Sequence, residues 1–87
     1  MGKSNILPYG YIDTPSALGK AIRTRRKQQG ATQAEFASLC SVGVRFISDL
    51  ENGKPTIELG KTLKALKCLG MEMGIYPRGW RRPDSDK

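Results

Sequence analysis

Hydrophobic positions along the chain fall into four short stripes of helical spacing, followed by a stretch that alternates. Leu18, Ala21 and Ile22 share one face of a first helix, with Lys20, Arg23 and Lys27 on the other. Thr14-Pro15 opens it, a capping hydroxyl followed by a ring that suits the first turn, and Gly30 stops it. Thr32-Gln33-Ala34-Glu35 has the form of a capping box, and Phe36, Ala37 and Cys40 supply the buried face of a second helix, about nine residues long. Ser41-Val42-Gly43 is a tight connection. The spacing then predicts a third helix from about Val44 to Glu51, with Ile47 and Leu50 inward, ended by Asn52-Gly53-Lys54-Pro55. Thr56 is expected to cap a fourth helix, whose inner face takes Leu59, Leu63, Leu66 and Leu69 and which Gly70 closes.

Beyond Gly70 the period changes to two. Met71, Met73 and Ile75 alternate with Glu72, Gly74 and Tyr76, which predicts a strand over 71–76. Residues 1–13 contain Pro8 and Gly10 and lack a helical period; they are read as an arm, with Ile6, Tyr9, Tyr11 and Ile12 covering the core. Residues 77–87 are read as a disordered tail. The expected organisation is an arm (1–13), a helical domain (14–70), a strand (71–76) and a tail (77–87). The fold class is all-α, with four to five helices and one C-terminal strand. A lone strand leaves its backbone groups unpaired, so a two-fold dimer in which 71–76 of each subunit pair antiparallel is the economical solution.

Two charges fall on inner faces. Arg26 lies four residues after Ile22, and Glu51 four after Ile47. A buried charge needs a partner, and each is the obvious one for the other, so an Arg26–Glu51 ion pair is predicted to tie the third helix to the first.

Composition narrows the function. A chain of 87 residues buries only about 60% of its unfolded surface, which favours a small helical core or help from a partner subunit. Fifteen Lys and Arg against eight Asp and Glu give a net charge of +7, suited to an anionic partner, of which nucleic acid is the commonest. Six basic residues and one acidic one lie in 1–30, two and four in 31–60, and seven and three in 61–87, so charge alone does not locate the binding surface. Cys40 and Cys68 stand in no metal-like pattern and the chain has no histidine, so no metal site is expected and both cysteines are read as small core residues. Without histidine, a phosphate loop or a close pair of inward carboxylates, an enzyme is not expected, nor is a cofactor. No apolar run reaches the length of a membrane span and no signal region opens the chain, so the cytoplasm, with its nucleoid, is the expected location.

Two short helices joined by a three-residue turn form a helix-turn-helix. On a wheel with Ile47 inward, Arg45, Ser48, Asp49 and Asn52 point outward. Such a face can read base edges: Arg pairs with guanine, Asp accepts from cytosine, and Val44 can touch a thymine methyl. An RNA reader would need an aromatic stacking platform, which the sequence lacks.

Three segments carry a resemblance to a known family: Arg26-Lys27-Gln28-Gln29-Gly30, Thr32-Gln33-Ala34-Glu35-Phe36-Ala37, and Phe46-Ile47-Ser48-Asp49-Leu50-Glu51-Asn52-Gly53-Lys54. Over about residues 15–70 the chain resembles the phage-repressor-like (Xre-type) helix-turn-helix family. Within it the chain looks most like HipB-type antitoxins, because the strand pattern follows the fourth helix directly. The resemblance implies binding to double-stranded operator DNA as a homodimer, with Gln33, Asn52 and Lys54 at phosphates and Val44, Arg45, Ser48 and Asp49 at bases. Gly43 aligns with a base-reading position but offers only backbone. It also implies that Met71, Glu72, Met73, Gly74, Ile75 and Tyr76 pair across the dimer. The chain departs from the family at Ser41, where a turn glycine is common, and at Gly43, where a polar cap is usual. Three roles fit the resemblance: an autoregulating antitoxin that also holds a HipA-type kinase toxin, a free-standing regulator, or a module acting mainly by toxin neutralisation. In the tail, Trp80 between Arg78 and Arg81-Arg82 suits either a partner anchor or added non-specific DNA affinity.

Overall fold

The structure is a computed structural model, and residues 10–79 are described. Four helices follow one another: α1 (Pro15–Gln28), α2 (Gln33–Cys40), α3 (Val44–Glu51) and α4 (Leu59–Cys68). Each boundary has a local cause. The Thr14 hydroxyl accepts from the N–H of Ala17 at 3.0 Å, and Pro15 occupies the first turn of α1. At α2 the capping box is complete: the Thr32 hydroxyl accepts from the Glu35 N–H at 3.1 Å, and the Glu35 carboxylate accepts from the Thr32 N–H at 2.8 Å.

The helix-turn-helix pivots on Ser41, which sits in the left-handed region at φ 60°. Glycine adopts that conformation freely, whereas a side chain costs about 1–2 kcal/mol there. The backbone N–H of Ser41 closes onto Ser38 O at 3.2 Å and that of Val42 onto Ala37 O at 3.0 Å, which offsets part of this cost. Gly43 then starts α3 without a side-chain cap.

The core joins all four helices. Ile22 of α1, Phe36, Ala37 and Cys40 of α2, Ile47 and Leu50 of α3, and Ala65 and Leu66 of α4 are buried together, with Leu69 just beyond α4. Leu18 is half-buried against this cluster, as are Val42, Phe46, Ile57 and Met71. α1 lies across the end of α3 at a distance only glycine permits. A Cβ on Gly19 would stand 2.5 Å from Leu50 O and 2.6 Å from Glu51 O.

Several expectations are corrected. The fourth helix is capped by Glu58, whose carboxylate accepts from the Lys61 N–H at 2.9 Å, and not by Thr56. Its buried face is Thr62, Ala65 and Leu66, continued by Leu69, while Leu59 (61% exposed) and Leu63 (41%) face outward. The Thr62 hydroxyl is satisfied by donating to Glu58 O at 2.8 Å, which lets a polar side chain take a core position. Tyr11 and Ile12 are exposed and do not cover the core; Ile6 and Tyr9 lie outside the described residues. Cys40 lies in the core and Cys68 packs half-buried against it, as expected, and in addition the two are disulfide-bonded, with Cα atoms 6.0 Å apart. Among the described residues none pairs with 71–76, whose expected partner is the same segment of a second subunit. Ile75 is 92% exposed. Trp80 lies outside the described residues.

Candidate nucleic-acid interface

α3 owes its orientation to a buried polar junction beneath it. Arg26 of α1 donates from Nε to Glu51 Oε2 at 2.6 Å and from Nη2 to Glu51 Oε1 at 2.8 Å, a two-pronged contact between side chains only 8% and 2% exposed. Its third prong, Nη1, donates to Ala31 O at 2.8 Å in the link between α1 and α2. Glu51 Oε1 also accepts from Gln33 Nε2 at 3.0 Å. The last residue of α3 is therefore bonded to α1 and to the first residue of α2. Burial alone would raise the Glu51 carboxyl, but the hydrogen bonds from Arg26 and Gln33, with the charges of Arg26 and Arg23, outweigh it and hold it below its ordinary value.

With Ile47, Leu50 and Glu51 turned in, the opposite face of α3 is open. Val44 is 49% exposed, the Arg45 side chain stands almost fully in solvent, and Ser48 and Asp49 are half-buried beside it. Asp49 lies between two cations, with Arg45 Nε 3.8 Å from one carboxylate oxygen and Lys54 Nζ 3.6 Å from the other. Lys54 reaches this place because Gly53 turns the chain at φ +79°, after which the Lys54 N–H closes onto Asp49 O at 3.0 Å. Asn52 is exposed at the same end. Val44, Arg45, Ser48, Asp49, Asn52 and Lys54 thus share one surface, and Gly43 stands at its entrance.

Gln33 differs from the rest. Its side-chain amide is turned inward to Glu51, so a donor offered to an outside group from this position is the backbone. The Gln33 and Ala34 N–H groups lie in the first turn of α2, where a helix has no internal acceptors. One further feature had no sequence signal: Lys61 of α4 lies over the Phe46 ring at 5.8 Å from its centre, steadying the inner edge of α3.

A family profile for helix-turn-helix proteins matches residues 22–74. The chain belongs to the helix-turn-helix family of DNA-binding transcriptional regulators. It is 46% identical over 71 residues to the uncharacterized HTH-type transcriptional regulator y4mF of Sinorhizobium fredii (strain NBRC 101917 / NGR234), covering 82% of this chain and 93% of that protein. Among solved structures it is similar to a HipB complex with an O4 20mer, at a TM-score of 0.71 and 29% identity over 78% of this chain and 96% of that one. A complex of a HipB variant with an O2 20mer gives a TM-score of 0.71 and 31% identity over 78% of this chain and 94% of that one. Among the described residues no helix is long and apolar enough to cross a membrane.

Proposed function

We propose that this helix-turn-helix regulator is a homodimeric, sequence-specific repressor that reads operator DNA with α3 and acts as a HipB-like antitoxin autoregulating its operon. The observation that carries the reading of DNA is the outer face of α3. It presents one freely exposed arginine, polar neighbours and a lysine, set on a buried junction that leaves the helix little freedom. In this reading Arg45 contacts guanine, Val44, Ser48 and Asp49 contact neighbouring base edges, and Asn52, Lys54 and the start of α2 at Gln33 hold phosphates. The likeness to HipB in complex with 20mers supports the same docking, and it is also what favours an antitoxin that binds a HipA-type kinase over a free-standing regulator. Co-purification with a kinase encoded beside it distinguishes these two.

The test separates reading from holding. Arg45→Ala is expected to cost about 1–3 kcal/mol on the operator and to relax preference at one base pair per half-site. Lys54→Ala is expected to weaken binding to every duplex alike and to lower the salt slope by about one. Titrations of both variants against operator and scrambled DNA at several salt concentrations check this. Equal losses on both sequences for Arg45→Ala would assign it to the backbone.

Dimerisation rests on 71–76. Met71 is half-buried against the core, whereas Met73, Ile75 and Tyr76 are exposed beside an open apolar groove lined by Leu18, Ala21 and Leu66. Pairing two such segments antiparallel covers these side chains and sets two copies of α3 about 34 Å apart, one turn of DNA. Met73→Pro removes a ladder donor and is expected to lower dimer and operator affinity together, as read by sedimentation and by operator titration. A wild-type monomer at micromolar concentration would contradict it.

A further inference from the structure

The two cysteines converge on a place that matters to the fold. Cys40 is the last residue of α2, immediately before the left-handed Ser41 that makes the helix-turn-helix turn, and Cys68 is the last residue of α4. They are bonded across 28 positions of sequence with Cα atoms 6.0 Å apart, within the span a disulfide requires. The two residues differ in exposure: Cys40 is 1% exposed, and Cys68 is half-buried at the helix end. Most contacts of the fold do not involve the two sulfurs. Ile22, Phe36, Ile47 and Leu50 are fully buried around Cys40, and the Arg26–Glu51 pair and the helix caps are independent of it.

We propose that Cys40 and Cys68 form a reversible thiol–disulfide switch that locks α2 onto α4 and sets the lifetime of the folded domain. The oxidant is a low-molecular-weight disulfide of the glutathione class. The thiolate of Cys68, the less buried of the two residues, attacks a sulfur of the oxidised reagent and releases one reduced thiol, leaving a mixed disulfide. The Cys40 thiolate, formed as its proton passes to solvent, attacks the Cys68 sulfur and releases the second reduced thiol. Two cysteine thiols lose two electrons, and the reagent's disulfide gains them. Reduction runs the same steps backwards from Cys68. The bond forbids the most extended unfolded states, so oxidation reduces the unfolded population on the order of a hundredfold and slows proteolysis accordingly. This inference stands apart from DNA reading, and its failure leaves that reading untouched.

The test is equilibration of the full chain in glutathione buffers of varied ratio, followed by alkylation, mass analysis and thermal melts. The wild type is expected to form one internal disulfide in oxidised buffer, to melt on the order of 10 °C higher than its reduced form, and to return to two thiols in excess reduced glutathione. Cys40→Ala is expected to carry one glutathione on Cys68, whereas Cys68→Ala leaves Cys40 unmodified until urea is added. A bond that survives excess reduced glutathione in the folded protein would make it a fixed staple and overturn the switch. So would failure to form any internal bond, or modification of Cys40 in the folded Cys68→Ala protein.

Discussion

Replacing Glu51 by alanine is expected to destabilise the domain by about 3–5 kcal/mol, a large part of the total stability of a chain this small. The cost arises less from the lost attraction than from what is left behind. Arg26 would remain 6% exposed with two of its three bonded prongs emptied, and Gln33 would lose its acceptor. Arg26→Ala should cost a similar amount by stranding the carboxylate. Arg26→Met combined with Glu51→Met should cost less than the sum of Arg26→Met and Glu51→Met made singly, because no buried charge is then orphaned. Urea unfolding of the singles and the double measures the coupling. Additive losses would mean that the two side chains do not act as a pair.

The same junction sets an acid limit. Because the folded Glu51 carboxyl lies below its ordinary value, its contribution is complete above the unfolded carboxyl range, about pH 4, and is lost as pH falls through the lower folded value. Between pH 6 and 8 this group contributes no slope. Stability measured from pH 7 down to pH 2 should therefore fall more steeply at the acid end for the wild type than for Glu51→Gln, which starts lower and has no such proton to take up.

Gly19→Ala is expected to cost about 2–3 kcal/mol although it adds a single methyl group to a helix. Alanine favours an exposed helix by about 0.5–1 kcal/mol over glycine, so the sign here is opposite to that of intrinsic propensity. The reason is the approach of α1 to the end of α3. The added carbon would meet Leu50 O at 2.5 Å, Glu51 O at 2.6 Å and the Glu51 carbonyl carbon at 2.9 Å, all of them backbone atoms with no rotamer to change. Gly53 makes the adjoining contact from the other side, where a Cβ would stand 2.8 Å from Ser16 Cα. To admit the methyl, α1 must lift from α3 and stretch the Arg26–Glu51 bonds. Gly60→Ala in α4 is the control, since the nearest atom to its Cβ is Glu58 Oε2 at 3.0 Å, a side-chain oxygen that can give by a few tenths of an ångström while Oε1 keeps its bond to the Lys61 N–H. It should be neutral or gain up to about 1 kcal/mol. Thermal melts of both variants decide the matter, and equal effects would dismiss the steric account.

Local pattern alone determined much of this protein. Capping chemistry placed the starts of α1 and α2, the inward triad of α2 followed from its spacing, and Arg26 and Glu51 were legible as inward charges because each stands one turn after a core isoleucine. The outward set Arg45, Ser48 and Asp49 came from the same wheel. The tertiary structure decided what spacing cannot encode. Both Thr56 and Glu58 can cap the start of α4, and only the packing of the helix on the core chose Thr62, Ala65 and Leu66 as its inner face over Leu59 and Leu63. Gly19 carried no signal, since a small residue in a helix matters only once another helix end lies on it. Lys54 joined Asp49 through a left-handed turn at Gly53, and Gln33 turned toward Glu51 because the end of α3 offered a charged acceptor. Cys40 and Cys68 met because the ends of α2 and α4 converge. Among the described residues 71–76 have no partner strand, because a ladder depends on a neighbouring backbone as well as on the alternation of the segment itself.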